Sequence, residues 1–578
     1  MPTKRPEAIA AICALVSFIV FAPILKGSFV WDDNDVQINQ VPAFKSLKDA
    51  FVVPPLNSSL PSKYYYRPLV NLSYMADEAL NGYFFPVNNN NNRAAKERAA
   101  IPHASTLLFH LAAVFSFTLL AAELLKGKTN ASIGVWAAGL VFALHPAHSE
   151  TVCTIAGRSD SLAAAFLMAF LLFALKGRSS RLLKYRVLAG LCFFMSLLAK
   201  ELALMGLVLL PAMYLAFKPG DDGVENKSAG PDLPLYGILA LALLAYLALR
   251  ALSGTVPLNS TQMGFADRIV LCSRALAYFI WHTVAPWPFA PVVHEPPGMA
   301  VTLAVFLSCA LFLFAELKFR RRSAGMTLFS AAWFLATIAP AVYIAGWGVS
   351  STAVAERYLY MPSAALAIYL GFSAAEASAR PILARILTPI SAAVLIAFGI
   401  SSWRATAVWA DERSLWEYAL TSEDAANHGL SWLNMGNTYF RAGENDKAAQ
   451  AYEKVLSLGE RSPREIKASA SCNLGVVEVK KGVAEYGKQN YFKALEHFRN
   501  GGARLAVAVN SGVMNFLYFS QMANAQVLQV KALMALGKGK DQRLLENAEK
   551  NASTALSLMP GNPSLINLVA QVRALRTE

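Results

Sequence analysis

Two adjacent aspartates, Asp32 and Asp33, follow the first apolar segment of the chain in the stretch GSFVWDDNDVQIN, residues 27–39. A carboxylate at the edge of an apolar segment is either a solvated boundary residue or a general base held near a reacting hydroxyl. Further ionisable residues recur in groups beside apolar segments. Arg67 stands in YYYRPL, and His103 and His110 are seven residues apart. LHPAHSETVCTIAGRSD (144–160) carries His145, His148, Glu150, Arg158 and Asp160. Lys200 and Glu201 adjoin in AKE, and Glu356 and Arg357 adjoin in AERYLYMPS (355–363). Arg357, Lys200, Arg158 and Arg67 are types suited to a phosphate, Arg by bidentate contact. His145, His148 and Glu150 have ligand types for a divalent cation, although Pro146 disturbs the helix that would align them. The plainer reading is ion pairs with neighbouring acids and histidines bonded to backbone carbonyls.

The elements that position these groups are apolar. Of 578 residues, 55% are hydrophobic and 16% charged, against about 25% charged in soluble domains. The net charge of +14 falls in short basic clusters between apolar segments, which is the pattern of membrane orientation and not of nucleic-acid binding. The six cysteines stand singly, with no metal or disulfide spacing. A spanning helix needs about 20 apolar residues. Candidate spans lie near 8–26, 104–125, 132–146, 160–176, 186–199, 202–217, 234–252, 299–316, 327–345, 357–374 and 383–402. A further apolar helix at 268–285 leads into a Pro-rich stretch and is read as re-entrant, surface-lying or a twelfth span. Basic clusters at Lys4/Arg5, 126–128, 176–186, 318–322 and Arg380/Arg385 are expected on the cytoplasmic side. The long loop 27–103, the segment 145–160 and everything after 402 then face the other side. The Asn run at 87–92 reads as a low-complexity loop tip.

After Trp403 the composition becomes that of a soluble helical domain. SWLNMGNTYFRAGENDKAAQAYEKVLSL (431–458) fits the tetratricopeptide pattern of about 34 residues, with Trp432, Gly436, Tyr439, Ala448 and Tyr452 in place. A degenerate copy runs from 472–479 through an insertion to 491–498, and a last one ends at 551–564. Such arrays form a concave groove. Trp432, Asn434 and Tyr439 are its candidate lining, and a cap without a ligand is the alternative.

In order along the chain, FVWDDN, YYRPL, the spaced histidines, LHPAHSE…IAGRSD, AKE, ERYLYMP and the repeats resemble the transmembrane and tetratricopeptide repeat-containing (TMTC-type) protein O-mannosyltransferases of the GT-C membrane glycosyltransferase class. The likeness departs at Trp31, where Tyr is usual, at Thr106, where Asn is expected, and in the short repeat array, which points to a bacterial relative. It implies an all-α fold: a polytopic GT-C-type bundle of about 11–12 spans over residues 1–405, and a C-terminal tetratricopeptide α-solenoid over 406–578. It also implies a polyprenyl-phosphate sugar donor, mannose as the sugar, and transfer with inversion to Ser or Thr of acceptor proteins held by the repeats. Asp32 or Asp33 would be the base, Asp32 slightly favoured. Arg67, His103, His110, His145, His148, Glu150, Arg158, Asp160, Lys200, Glu201, Glu356 and Arg357 would contact substrate or lipid phosphate. No cofactor is called for, with a divalent cation held open. The expected location is a bacterial inner membrane with the site on the periplasmic face, or the ER membrane in a eukaryote. Two rivals stand beside this: a GT-C enzyme acting on a glycan or lipid acceptor or moving a whole oligosaccharide, and a non-enzymatic membrane-anchored scaffold.

Overall fold

The computed structural model describes residues 5–36, 40–52, 65–85, 95–217, 232–255, 263–320, 324–347 and 352–577. Lys4 and the Asn run at 87–92 lie outside them. Among the described residues every regular element is helical, and Val293 and Val354 form an isolated bridge. The chain divides into two units, Met1–Leu415 and Trp416–Glu578.

In the first unit, seven helices are long and apolar enough to cross a bilayer: Pro6–Lys26, Arg98–Leu124, Arg158–Ser180, Leu233–Leu252, Met299–Phe319, Ala324–Trp347 and Pro381–Val408. Ala131–Leu144 and Pro146–Cys153, bent by 46°, make an eighth if counted as one span. The chain is an integral membrane protein. Three of the eleven expected spans are shorter helices instead: Leu183–Ala199 with 17 residues, Gly206–Ala216 with 11 and Ser363–Ser378 with 16. The breaks have a local cause. Lys200 is extended between helices, Glu201–Met205 is a 3-10 turn, and Glu356–Leu359 is another. Irregular backbone of this kind is tolerated at membrane depth only where protein or a wet cavity satisfies it, and these breaks sit at the cavity described below. The helix Phe265–Val284 is long enough to span but carries Asp267, Arg268 and Arg274.

Packing within this unit relies on close backbone approach. A Cβ at Gly134 would lie 2.6 Å from the carbonyl oxygen of Gly371. The helices Ala131–Leu144 and Ser363–Ser378 therefore meet backbone to backbone, as small residues allow in membranes.

The second unit is a helical solenoid. Its hairpins are Gly429–Arg441 with Asn445–Ser457, Arg464–Gly487 with Tyr491–Val509, and Phe516–Ala535 with Gln542–Leu558, followed by Pro563–Thr577. Leu433, Ala448, Tyr452, Val455, Ala470, Leu474 and Val477 form one core of this stack. The insertion expected in the second copy is helix: its two helices are 24 and 19 residues long where the first hairpin has 13 and 13.

Candidate functional site

The first unit encloses an open cavity of about 470 Å³. Of the sequence candidates, Asp32, Arg67, Glu150, Asp160, Lys200 and Arg357 line it. Asp32 is the carboxylate with the freest access, its side chain 56% exposed. Its Oδ2 stands 4.0 Å from Nη1 of Arg357, beyond hydrogen-bond length. The three cations are each tethered. Arg357 is held by Glu150 through Nη1 at 2.7 Å and its own backbone N–H at 2.9 Å. Lys200 Nζ lies 2.6 Å from Asp160 Oδ1, and Arg67 Nε lies 3.4 Å from Glu201 Oε2. The tethering acids Glu150 and Asp160 are buried, whereas Arg357 keeps a 24% exposed side chain. All three cations line the cavity, and each has more N–H donors than one carboxylate can take up.

The segment 149–160 lines the cavity through Glu150, Thr154, Ala156, Gly157, Ser159 and Asp160, and it also frames the site. Glu150 holds Arg357, Asp160 holds Lys200, and the backbone N–H of Ala156 donates to Asp33 at 2.8 Å. Arg158, fully buried, does not line the cavity. Its guanidinium reaches Asp77 at 2.6 Å, Ser73 at 3.1 Å and the carbonyl of Pro102 at 2.8 Å, with the Tyr74 ring 4.5 Å away. Arg158 thus ties the helix Pro68–Phe84 of the first loop to the long helix Ala95–Leu124. Sequence reading had no means of pairing Arg158 with Asp77, 81 positions away and in no quoted motif.

Asp33 is also off the cavity wall and fully buried. Burial pushes its carboxyl up to about 7, against the N–H donors of Ala156 and Val30, and the charge of Asp32 adds to the rise.

The histidines fall behind the cavity. His110 bonds Tyr360 Oη at 2.6 Å and Ser17 Oγ at 2.8 Å, and His148 bonds Ser363 Oγ at 2.7 Å. His145 Nε2 lies 2.9 Å from the Thr283 carbonyl, and His103 Nε2 lies 3.2 Å from that of Ser28. All four were expected to touch substrate; none of them lines the cavity, and each is partnered inside the helix bundle. His145, His148 and Glu150 each answer to a different partner, and among the described residues no three His, Cys, Asp or Glu side chains are grouped as a metal ion requires. Glu356 is buried against His282 at 3.6 Å and does not line the cavity, nor does Glu201.

Aromatic walls were missed. Trp31, Tyr65, Tyr74, Tyr358 and Trp409 line the cavity, with Arg67 over Tyr65 at 4.4 Å and Arg357 over Tyr358 at 5.3 Å. All but Trp409 and Tyr74 stand inside the motifs quoted for their charges, so the signal was present and unread.

In the second unit, Trp432 is partly buried and donates from Nε1 to the Ala426 carbonyl at 2.9 Å, and Tyr439 packs against the same core. A cleft of about 190 Å³ lies instead between Asn437, Phe440, Arg441, Tyr452, Asn473 and Val476. The expected lining of Trp432, Asn434 and Tyr439 is not among the residues of this cleft.

Fold and site together define a polytopic helical membrane protein with an ion-pair-lined cavity and a helical solenoid. By sequence, the chain is related to the TMTC-type protein O-mannosyltransferases. It is 28% identical over 204 residues to Protein O-mannosyl-transferase Tmtc1 of Drosophila melanogaster, an alignment covering 34% of this chain and 21% of that one. It is 33% identical over 143 residues to Protein O-mannosyl-transferase TMTC2 of Mus musculus, covering 24% and 15%. With Protein O-mannosyl-transferase TMTC4 of Homo sapiens it shares 29% over 178 residues, covering 27% and 21%. The matched part thus spans about a fifth or less of these relatives. No family model matches the chain.

Proposed function

We propose that the protein is a GT-C membrane glycosyltransferase that moves a hexose, mannose by its relatives' names, from a polyprenyl phosphate to Ser or Thr of protein acceptors. The observation that carries this is the cavity itself. One accessible carboxylate, Asp32, shares it with Arg357, Lys200 and Arg67, each tethered by an acid of its own. In this reading Asp32 takes the proton of the acceptor hydroxyl as its oxygen attacks the anomeric carbon. The bond from that carbon to the phosphate oxygen breaks on the opposite face, so configuration inverts. The leaving lipid phosphate gathers charge, which Arg357, Lys200 and Arg67 stabilise in place. The aromatic walls supply faces for the sugar ring. The C-terminal unit, read as tetratricopeptide repeats, holds acceptor chains and raises their local concentration. The site and this unit face the periplasm, or the ER lumen in a eukaryote.

The test is transfer of label from radiolabelled polyprenyl-phosphate mannose to membrane and secreted proteins. Wild type is expected to transfer, Asp32→Asn to lose the activity by at least about 100-fold, the range of general-base removal, and Arg357→Ala to lose it comparably. Transfer undiminished in Asp32→Asn would sink the mechanism. Label appearing only with an oligosaccharide diphosphate donor would replace the donor.

A further inference from the structure

Residues 30–33 make a tight turn. The N–H of Asp33 donates to the Val30 carbonyl at 3.0 Å, and the N–H of Asn34 to that of Trp31 at 3.1 Å. Trp31 takes φ 50° and ψ −114°, a left-handed conformation that suits glycine and strains a residue with a bulky Cβ substituent. Such strain persists only where surrounding bonds over-determine it. Here the bonds come from the neighbouring acid. Asp33 Oδ2 accepts from the Val30 N–H at 3.3 Å and closes the turn on itself. Asp33 Oδ1 accepts from the Ala156 N–H at 2.8 Å and pins the turn to the loop before the helix Arg158–Ser180. Asp33 is fully buried and off the cavity wall, so it has no path to substrate. Asp32, between the strained residue and the clamp, is the one whose carboxylate emerges beside Arg357.

We infer that Asp33 is a positioning residue that aims Asp32 into the cavity by clamping the strained Val30–Asp33 turn onto the 154–157 loop. The inference rests on the reading of Asp32 as the base. The adjacent acids divide the labour: one is spent inside the fold so that the other can stand at a fixed angle outside it. The same logic operates across the cavity, where buried Glu150 holds both the side chain and the backbone of Arg357.

The experiment is a double-mutant cycle in the full-length protein, reading kcat and donor KM separately. Asp33→Ala is expected to lower kcat by at least tenfold with donor KM within about threefold, since a misaimed base harms the reaction more than binding. Asp33→Asn, which keeps an acceptor for Ala156 and loses the one for Val30, is expected to fall between. Trp31→Gly alone sets the effect of losing the indole. In that background the turn is unstrained, and Asp33→Ala is expected to cost several-fold less in kcat than it does beside Trp31. Equal cost in both backgrounds, an unchanged kcat, or a KM rise at unchanged kcat would each overturn the inference. Wild type that transfers no sugar would overturn the functional reading instead, and the placement of residue 32 would then be decided without turnover. Asp32→Cys labelled by a charged, membrane-impermeant maleimide is expected to change its labelling rate several-fold when Asp33→Ala is added. An unchanged rate would overturn the inference on its own.

Discussion

The two units treat charge in opposite ways. In Met1–Leu415 two pairs at and behind the cavity are withdrawn from water, Arg158 with Asp77 at 0% and 4% exposure and Lys200 with Asp160 at 13% and 3%, while Arg67 with Glu201 is partly exposed. In Trp416–Glu578 the pairs are on the surface, among them Arg576 with Glu546 and Glu549 and Lys447 with Glu444. Two buried charges lose their hydration and regain it only through good geometry and further hydrogen bonds. Arg158 meets most of that demand with a carboxylate, a hydroxyl, a carbonyl and an aromatic face, its Nε being left without a hydrogen bond among the described residues. A surface pair gives up little hydration and contributes little. The solenoid is held by its apolar seams and tight helix contacts, and its charges keep it soluble. The membrane unit instead buries charged groups beside its cavity, which is costly next to a bilayer, and these are the groups the proposed reaction would use.

If that contrast is right, Arg158→Ala has the largest effect on folding. It leaves Asp77 buried without its partner, and removing one member of a buried pair costs about 3–5 kcal/mol. Thermal or denaturant unfolding of the full chain in detergent reads this. A loss under about 1 kcal/mol would erase the distinction between the units.

Next is a pH effect at Asp33. Burial holds its carboxyl up near 7 in the fold, against 3.8 ordinarily, so the folded chain binds that proton more tightly than the unfolded one. Its contribution is fully present below about 3.8 and is lost as pH rises through 7. Between pH 5 and pH 8 wild type is expected to lose on the order of 2 kcal/mol that Asp33→Asn does not lose. Asp32, Tyr74 and Cys153, the titratable groups coupled to it, are present in both proteins, so the difference reads Asp33 together with its coupling to them. Parallel curves of stability against pH for the two would refute it. The stability gap between wild type and Asp33→Asn is therefore expected to narrow as pH rises to 8, while Asp33→Asn transfers sugar more slowly.

In the solenoid the sensitive positions are small residues. A Cβ at Gly436 would fall 2.4 Å from Cε1 of Tyr452, so Gly436→Ala forces the ring or the helix to shift. The expected loss is about 1–2 kcal/mol, seen as faster hydrogen exchange confined to residues 429–458. Exchange unchanged there would mean that the hairpin has slack the structure does not show.

How much of this was legible in the sequence depended on range. The apolar runs and the tetratricopeptide pattern announced the helices, and Gly436 and Ala448 stood in that pattern as small residues, because those signals are local. The charged motifs were legible as a group and misread singly. Arg158 was weighed with Arg357 as a phosphate contact, and only the fold, by setting Asp77 and Pro102 around it, separates a structural guanidinium from a cavity-lining one. Asp32 and Asp33 are adjacent and chemically identical, so no pattern distinguishes them. The positive φ at Trp31 turns one inward and the other outward, and a backbone angle leaves no mark in a sequence. The three expected spans whose helices are short were legible as apolar runs, and their breaks were not. The breaks at Lys200 and at Glu356 fall within apolar runs whose composition still reads as membrane, and what interrupts them is the cavity they help to form.

The smallest effect is the one that sharpens the contrast most. Arg576 reaches both Glu549 at 2.8 Å and Glu546 at 3.1 Å, while Arg573 reaches Glu549 at 2.8 Å. By geometry this cluster resembles the network around Arg158, with one guanidinium serving several acceptors. It differs in exposure, Arg576 being 43% accessible. Water solvates these carboxylates whether or not Arg576 is there, and Arg573 remains to share Glu549. Arg576→Ala is therefore expected to change unfolding stability by no more than about 0.5–1 kcal/mol, less at high salt. A loss matching that of Arg158→Ala would mean that hydrogen-bond count, and not withdrawal from water, sets what a pair is worth in this protein.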